Sequence, residues 1–177
     1  NEIMYNPNQA NDLDAEWLEL YNNGTSIIDL SEWKIDNNDF DDISIFPNDY
    51  IVVAKELIDG TDEDKDSFES IWGNNDSVWN NLDGDYNAVD GDFTLVNSID
   101  TINLSNGTYS HIITYNSSWG ADGNGKSLEY FNNSWHQSLV SGGTPGYENG
   151  IKPEISPDEK IKNIILETYL DEILYMN

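Results

Sequence analysis

Residues 16–35 read EWLELYNNGTSIIDLSEWKI. In 16–21, Leu18 and Leu20 fall on one face and Trp17, Glu19 and Tyr21 on the other. That is the two-residue period of a strand, not the 3.6-residue period of a helix. NNGT at 22–25 is a turn, because Asn and Gly accept positive φ. SIIDLSEWKI then supplies one or two further strands. Working outward, EIMY lies upstream, and YIVVAK at 50–55 is a continuous apolar, β-branched run of the kind found in a central strand. FTLVN and DTINL flank a short turn at Asn97-Ser98, YSHIITY at 109–115 alternates again, and SLEYF occupies 127–131. Roughly seven to nine short strands separated by turn signals predict an all-β sandwich or barrel.

The 177 residues suffice to bury a core without disulfides or structural metal. There is no cysteine, which excludes a disulfide framework, a thiolate metal site and a thiol nucleophile. Asp plus Glu number 34 against 7 lysines, for a net charge of -27. Such a field repels nucleic acid and anionic lipid, favours cations, and suits a salty medium that screens self-repulsion. No apolar run is long enough for a transmembrane helix. The opening NEIMYNP lacks both an initiator Met and a signal-peptide pattern, and reads as a trimmed or excised segment.

The stretch 56–92 is polar and acidic, a long connection or insertion whose Phe68, Ile71, Trp72 and Trp79 pin it to the sandwich, with Phe68, Ile71 and Trp72 spaced for one helical turn. GGTPGYENGIKPEISP at 142–157 reads as a domain end and linker. Beyond it, Ser156, Pro157 and Glu159 form a helix start with a capping box. Ile161, Ile165, Leu166, Tyr169, Leu170, Ile173 and Leu174 then recur near the helical period and predict a C-terminal amphipathic helix. The rival is a strand, NIILETYL, opening a further β domain. The division expected is therefore 1–149 as the sandwich and 150–177 as linker plus helix or a further module.

GADGNGKS at 120–127 matches the phosphate-binding loop pattern. That loop needs a helix after it, and SLEYFNNSW offers a strand and then a turn, so no nucleotide site is expected and Lys126 is expected at the surface among carboxylates. His111 and His136 have no triad or metal spacing around them. DGDYNAVDGD at 83–92 is the metal candidate: Asp83, Asp85, Asn87, Asp90 and Asp92 are the hard oxygen donors that calcium takes, although Ala88 and Thr94 break the EF-hand pattern. Asn23, Asn75, Asn103, Asn106, Asn116 and Asn132 head N-x-S/T sequons and are candidate glycosylation sites.

NEIMYNP, EWLELYNNGTSIIDLSEWKI, PNDYIVVAK, FTLVNSIDTINLSNG, WGADGNGKSLEY and SWHQSLVSGGTPGYEN, in this order, resemble the lamin-tail domain family over about residues 1–149. The resemblance implies an immunoglobulin-like antiparallel β-sandwich without catalysis, of the prokaryotic type found in exported or surface proteins. The acidic insertion and the C-terminal helix depart from it. The function expected is a non-enzymatic module of an extracellular or cell-surface protein, in assembly or adhesion, as in a filament or surface layer. A protein partner or a second copy would be held through residues 156–177. The alternative is an accessory domain of a secreted hydrolase whose catalytic domain lies outside this chain. No cofactor is expected apart from calcium at 83–92.

Overall fold

The computed structural model describes residues 1–8, 13–41, 43–60 and 66–150. The first strands are β1 (Glu2–Met4), β2 (Trp17–Tyr21), β3 (Ile28–Asp29), β4 (Lys34–Ile35), β5 (Asn38–Asp39), β6 (Ser44–Ile45) and β7 (Tyr50–Ala54). A short helix, α1 (Phe68–Trp72), precedes β8 (Asn87–Asp90) and the long hairpin β9 (Ile99–Ser105) and β10 (Ser110–Asn116). A 3-10 turn at Ser117–Trp119 leads to β11 (Leu128–Phe131) and β12 (Ser134–Gln137). The larger sheet runs β12-β11-β1-β2-β7-β8, the smaller β10-β9-β4-β5, with β3 and β6 as a separate pair.

The two sheets face each other across one core. Ile3, Leu18, Ile51, Val53 and Leu128 from the larger meet Ile35, Ile102 and Tyr115 from the smaller. The alternation in WLELY places Leu18 and Leu20 toward this core and Trp17 and Glu19 behind the sheet. The rear of the larger sheet is covered as well: Met4, Trp17, Val52 and Ala54 pack against Leu57 and Phe68. A sheet clothed on both sides explains why YIVVA reads as a continuous apolar run and not an alternating one.

The helical turn at 68–72 forms where the aromatic spacing predicts it. Ser67 caps it by accepting from the Ser70 amide at 3.2 Å, and the Ser70 hydroxyl accepts from the Ser67 amide at 2.8 Å. Five residues do not make a stable helix alone. Phe68 is fully buried, stacked on Trp72 and edge-on to Trp17, and that packing holds the turn.

The structure departs from the sequence expectation in two ways. The sheets are not antiparallel throughout: β8 runs parallel to β7, in register Val53 with Val89. The α1 crossover carries the chain back to the start of the sheet before β8, so the parallel direction follows. FTLVN is not a strand, although Phe93 and Leu95 are buried. The Leu95 amide donates to Glu16 Oε2 at 2.9 Å instead of to a neighbouring strand. Trp17 is buried, whereas Tyr21 is 38% exposed and stacks on Tyr50. The predicted C-terminal helix, and with it the contact assigned to residues 156–177, lies outside the described residues.

Candidate functional site

Behind the larger sheet, three glutamates stand side by side on adjacent strands. Glu2 of β1 pairs in register with Glu19 of β2 and with Glu129 of β11. Each is about 1% exposed. The closing segment 142–150 lies over them, and its backbone supplies their hydrogen bonds. The Thr144 amide donates to Glu2 at 2.8 Å, the Gly146 amide to Glu19, and the Gly150 amide to Glu129 at 2.8 Å. Ser127 donates its hydroxyl to Glu2. Asn149 donates to the carbonyls of Asn1 at 2.7 Å and Tyr130 at 3.2 Å. The backbone must come close, and glycine permits it. Gly143 has φ +78°, and a Cβ there would strike the Glu2 carboxylate. The segment is clamped from outside by the acidic stretch, where Trp72 Nε1 donates to the Gly142 carbonyl at 2.8 Å.

Burial dominates the electrostatics. It pushes Glu2 up to about 8 and Glu19 to about 7, despite the amides that favour ionised carboxylates. The geometry agrees. The Thr144 hydroxyl lies 3.1 Å from both Glu2 Oε2 and Glu129 Oε1 and 3.3 Å from Asn149 Oδ1. A hydroxyl carries one hydrogen and cannot donate to all three. A proton on Glu2 supplies a second donor and lets Thr144 Oγ1 accept. Sequence reading quotes all three strands but misses the clasp, because three glutamates do not stand out among 34 acids. The available signal was their position, each beside apolar neighbours in a strand.

The loop at 120–127 is an irregular connection between the 3-10 turn and β11, with Gly120, Ala121, Gly123 and Gly125 all at positive φ. No helix follows it. Among the described residues Lys126 makes no ion pair, and its Nζ donates to the Ser138 carbonyl at 3.0 Å. The Asp122 carboxylate accepts from Asn6 at 2.5 Å. Every polar group named here serves to dock one loop on another.

A model of the Lamin Tail Domain family matches residues 1–118. The chain belongs to that family. No curated protein and no solved structure matches it. In this lamin tail domain, β11 and the closing segment lie beyond the matched residues, yet β11 pairs with β1 and so completes the same sheet.

The calcium candidates of the lamin tail domain do not converge. Asp83 accepts from the amides of Asn74 at 2.9 Å and Asn80 at 2.7 Å, Asp90 from the Leu57 amide at 2.8 Å, and Asp92 pairs with Lys55 at 3.2 Å. Asp85 and Asn87 are exposed. Among the described residues the group whose oxygens come together is Glu69, Asp76 and Asp83. Buried Glu69 already accepts from the Asp76 and Ser77 amides. The sequons divide in two. Asn103, Asn106 and Asn116 hold their side chains in hydrogen bonds to Ser110, Thr108 and Ser118. Asn23, Asn75 and Asn132 stand exposed, the latter two at positive φ. His111 is exposed on β10, and His136 lies against Ser134 and the Phe131 ring.

Proposed function

We propose that this lamin tail domain is a non-enzymatic module of an extracellular or cell-surface protein, working in structural assembly or adhesion through a protein partner or another copy of itself. The observation that carries the reading is the uneven distribution of charge. Between residues 93 and 121 there is one acidic residue, Asp100, and no lysine. This is the β9–β10 hairpin with its flanks. Its outer face presents Ile99 and Ile112, both exposed, beside Thr101 and Thr114, whose hydroxyls meet at 2.8 Å. Two bodies of strong like charge repel, so contact between them forms where acid is scarcest. An uncharged face with exposed β-branched side chains meets that need. The buried Glu2, Glu19 and Glu129 are engaged in closing the fold and are not offered to a partner. Of the six sequons, Asn103 and Asn116 lie on this same face, in register with Ile112 and Ile99, so the reading requires these two to be free of glycan; export is part of the proposal.

Light scattering on the full chain at several concentrations, in high salt to screen repulsion, tests self-assembly. The mass is expected to rise with concentration, and Ile112→Lys to abolish the rise while leaving the melting temperature near wild type. A wild-type mass that stays monomeric throughout overturns self-assembly as the role.

A further inference from the structure

The hydrogen bonds around the β9–β10 hairpin show which backbone groups of β10 face outward. The Asn103 amide donates to Asp36 Oδ1 at 2.8 Å, and its carbonyl accepts from the Asp36 amide at 3.0 Å. Both bonds run toward β4, so Asn103 and its opposite, Ile112, do not bond each other. Bonded and unbonded pairs alternate along an antiparallel ladder. The bonds that bracket the hairpin keep the same phase: the Asn106 amide on the Tyr109 carbonyl at 3.1 Å and the Ser117 amide on the Ser98 carbonyl at 2.7 Å. Ser110, Ile112 and Thr114 therefore aim their amides and carbonyls away from β9. Among the described residues no strand pairs with them, because β10 ends its sheet. A recess of about 350 Å³ runs along Ile112–Thr114, with Tyr130 and Trp135 across it. A long open edge is usually guarded by lysine, proline or a bulge. SHIITYN at 110–116 has no lysine and no proline, and it pairs with β9 one for one throughout. The other sheet ends differ. β5 is two residues long, with Asp39 on Lys34; β8 ends on Asp90, between Asp85 and Asp92; Gln137 of β12 is taken by the Ala121 amide and Asn124.

We propose, resting on the assembly reading, that this edge takes the β10 of a second copy, antiparallel, about a two-fold axis through Ile113. In that register Ile112 of each copy faces Thr114 of the other, and the two exchange amide and carbonyl bonds. Ser110 faces Asn116, and Ile113 faces itself. The whole strand is paired, and the smaller sheet continues across the contact. Everything the edge asks of a partner is met by β10 itself: no acid, no proline, and outward donors and acceptors at alternate residues. Charge permits it. The hairpin's one acid, Asp100, sits on β9 opposite Tyr115, one strand in from the edge. Two such carboxylates would stand three strand spacings apart, roughly 14 Å. That exceeds the screening length of about 8 Å at physiological salt. The same patch serves both molecules and uses up the open edge, so the contact closes as a dimer. A contact this narrow is weak, and concentrated protein is needed to fill it.

The chain has no cysteine, so single thiols report the contact. Facing residues of an unbonded pair stand about 4.5 Å apart between Cα atoms, within disulfide reach. Ile113→Cys in the full chain, mildly oxidised at high concentration and high salt, is expected to give a covalent dimer on a non-reducing gel. Ile112→Cys is expected to stay monomeric, since its two positions would lie roughly 9 Å apart, beyond the limit of about 7 Å. In the wild type, where no substitution can disturb folding, hydrogen exchange read by NMR follows the Ile112 and Thr114 amides. They are expected to slow about tenfold when about nine-tenths of the chain is paired. Dimer from Ile112→Cys equal to or above that from Ile113→Cys overturns edge pairing. So does a mass that rises while the Ile112 and Thr114 amides still exchange fast; either result leaves assembly through the outer face standing. Slowed amides without an Ile113→Cys dimer overturn the two-fold at Ile113. A mass that never rises removes both readings.

Discussion

Glu2 and Glu19 hold protons that an unfolded chain would release. Their folded values, about 8 and 7, stand above the ordinary 4.5. The native state therefore binds more protons than the unfolded state, and stability falls as pH rises toward 8. The stabilising contribution is complete below about 4.5 and lost through the folded values. Ordinary surface carboxylates have ionised by about pH 6, so between 6 and 8 the two glutamates act against one opposing group nearby, the Asn1 amine, which burial holds below its ordinary 8.0. Thermal melts there, at fixed high ionic strength, should show a decline on the order of 1 kcal/mol per pH unit for each extra proton held. Glu2→Gln should make the decline shallower; a variant whose pH profile parallels the wild type would refute the protonated clasp. Thr144→Val removes the shared hydroxyl from buried oxygens and should cost about 1–3 kcal/mol in denaturant unfolding. Lys126, bound to the Ser138 carbonyl, gives the neighbouring loop a structural use for its signature. Calorimetry with magnesium-ATP should give no saturable heat.

At the scale of elements, α1 shows how a weak local signal becomes a fixed structure. Phe68 touches the Trp72, Trp17 and Trp79 rings, at centroid distances of 5.0, 6.0 and 5.0 Å. Phe68→Ala should destabilise by about 3–5 kcal/mol, read by denaturant unfolding, and should loosen the closing segment that Trp72 holds. A loss below 1 kcal/mol would mean that the stretch is not docked. β8 was not legible because NAVD is short and flanked by acids; its partner β7 draws it into the sheet. FTLVN carried a strand pattern, yet a buried carboxylate, Glu16, takes its backbone donor. Such competition between side chain and strand leaves no trace in periodicity.

For the whole molecule, charge is the dominant long-range term. Two ion pairs, Lys34 with Asp39 and Lys55 with Asp92, are found among the described residues. Both have exposed acids and contribute little. Self-repulsion should therefore fall when salt shortens the screening length from about 10 Å at 0.1 M to about 3 Å at 1 M. The melting temperature should rise over that range in sodium chloride at fixed pH. An unchanged value would show that the acids are too far apart to destabilise the fold.

The residue order alone determined the strand-rich class, the alternation of β2, the apolar run of β7, and the family, because alternation and turn chemistry are local and each strand carries its own. It also placed a helical turn at Phe68–Trp72. It did not determine that Glu2, Glu19 and Glu129 meet, since they are set side by side by strand pairing between β1, β2 and β11 across more than a hundred residues. Nor did it determine that Asp83, Asp90 and Asp92 turn to different partners, although they crowd one short stretch. Sequence proximity says which groups are near along the chain. Which of them share a dry site, and so shift their proton affinity, depends on the register of strands and on what covers them. Only the tertiary structure decided that.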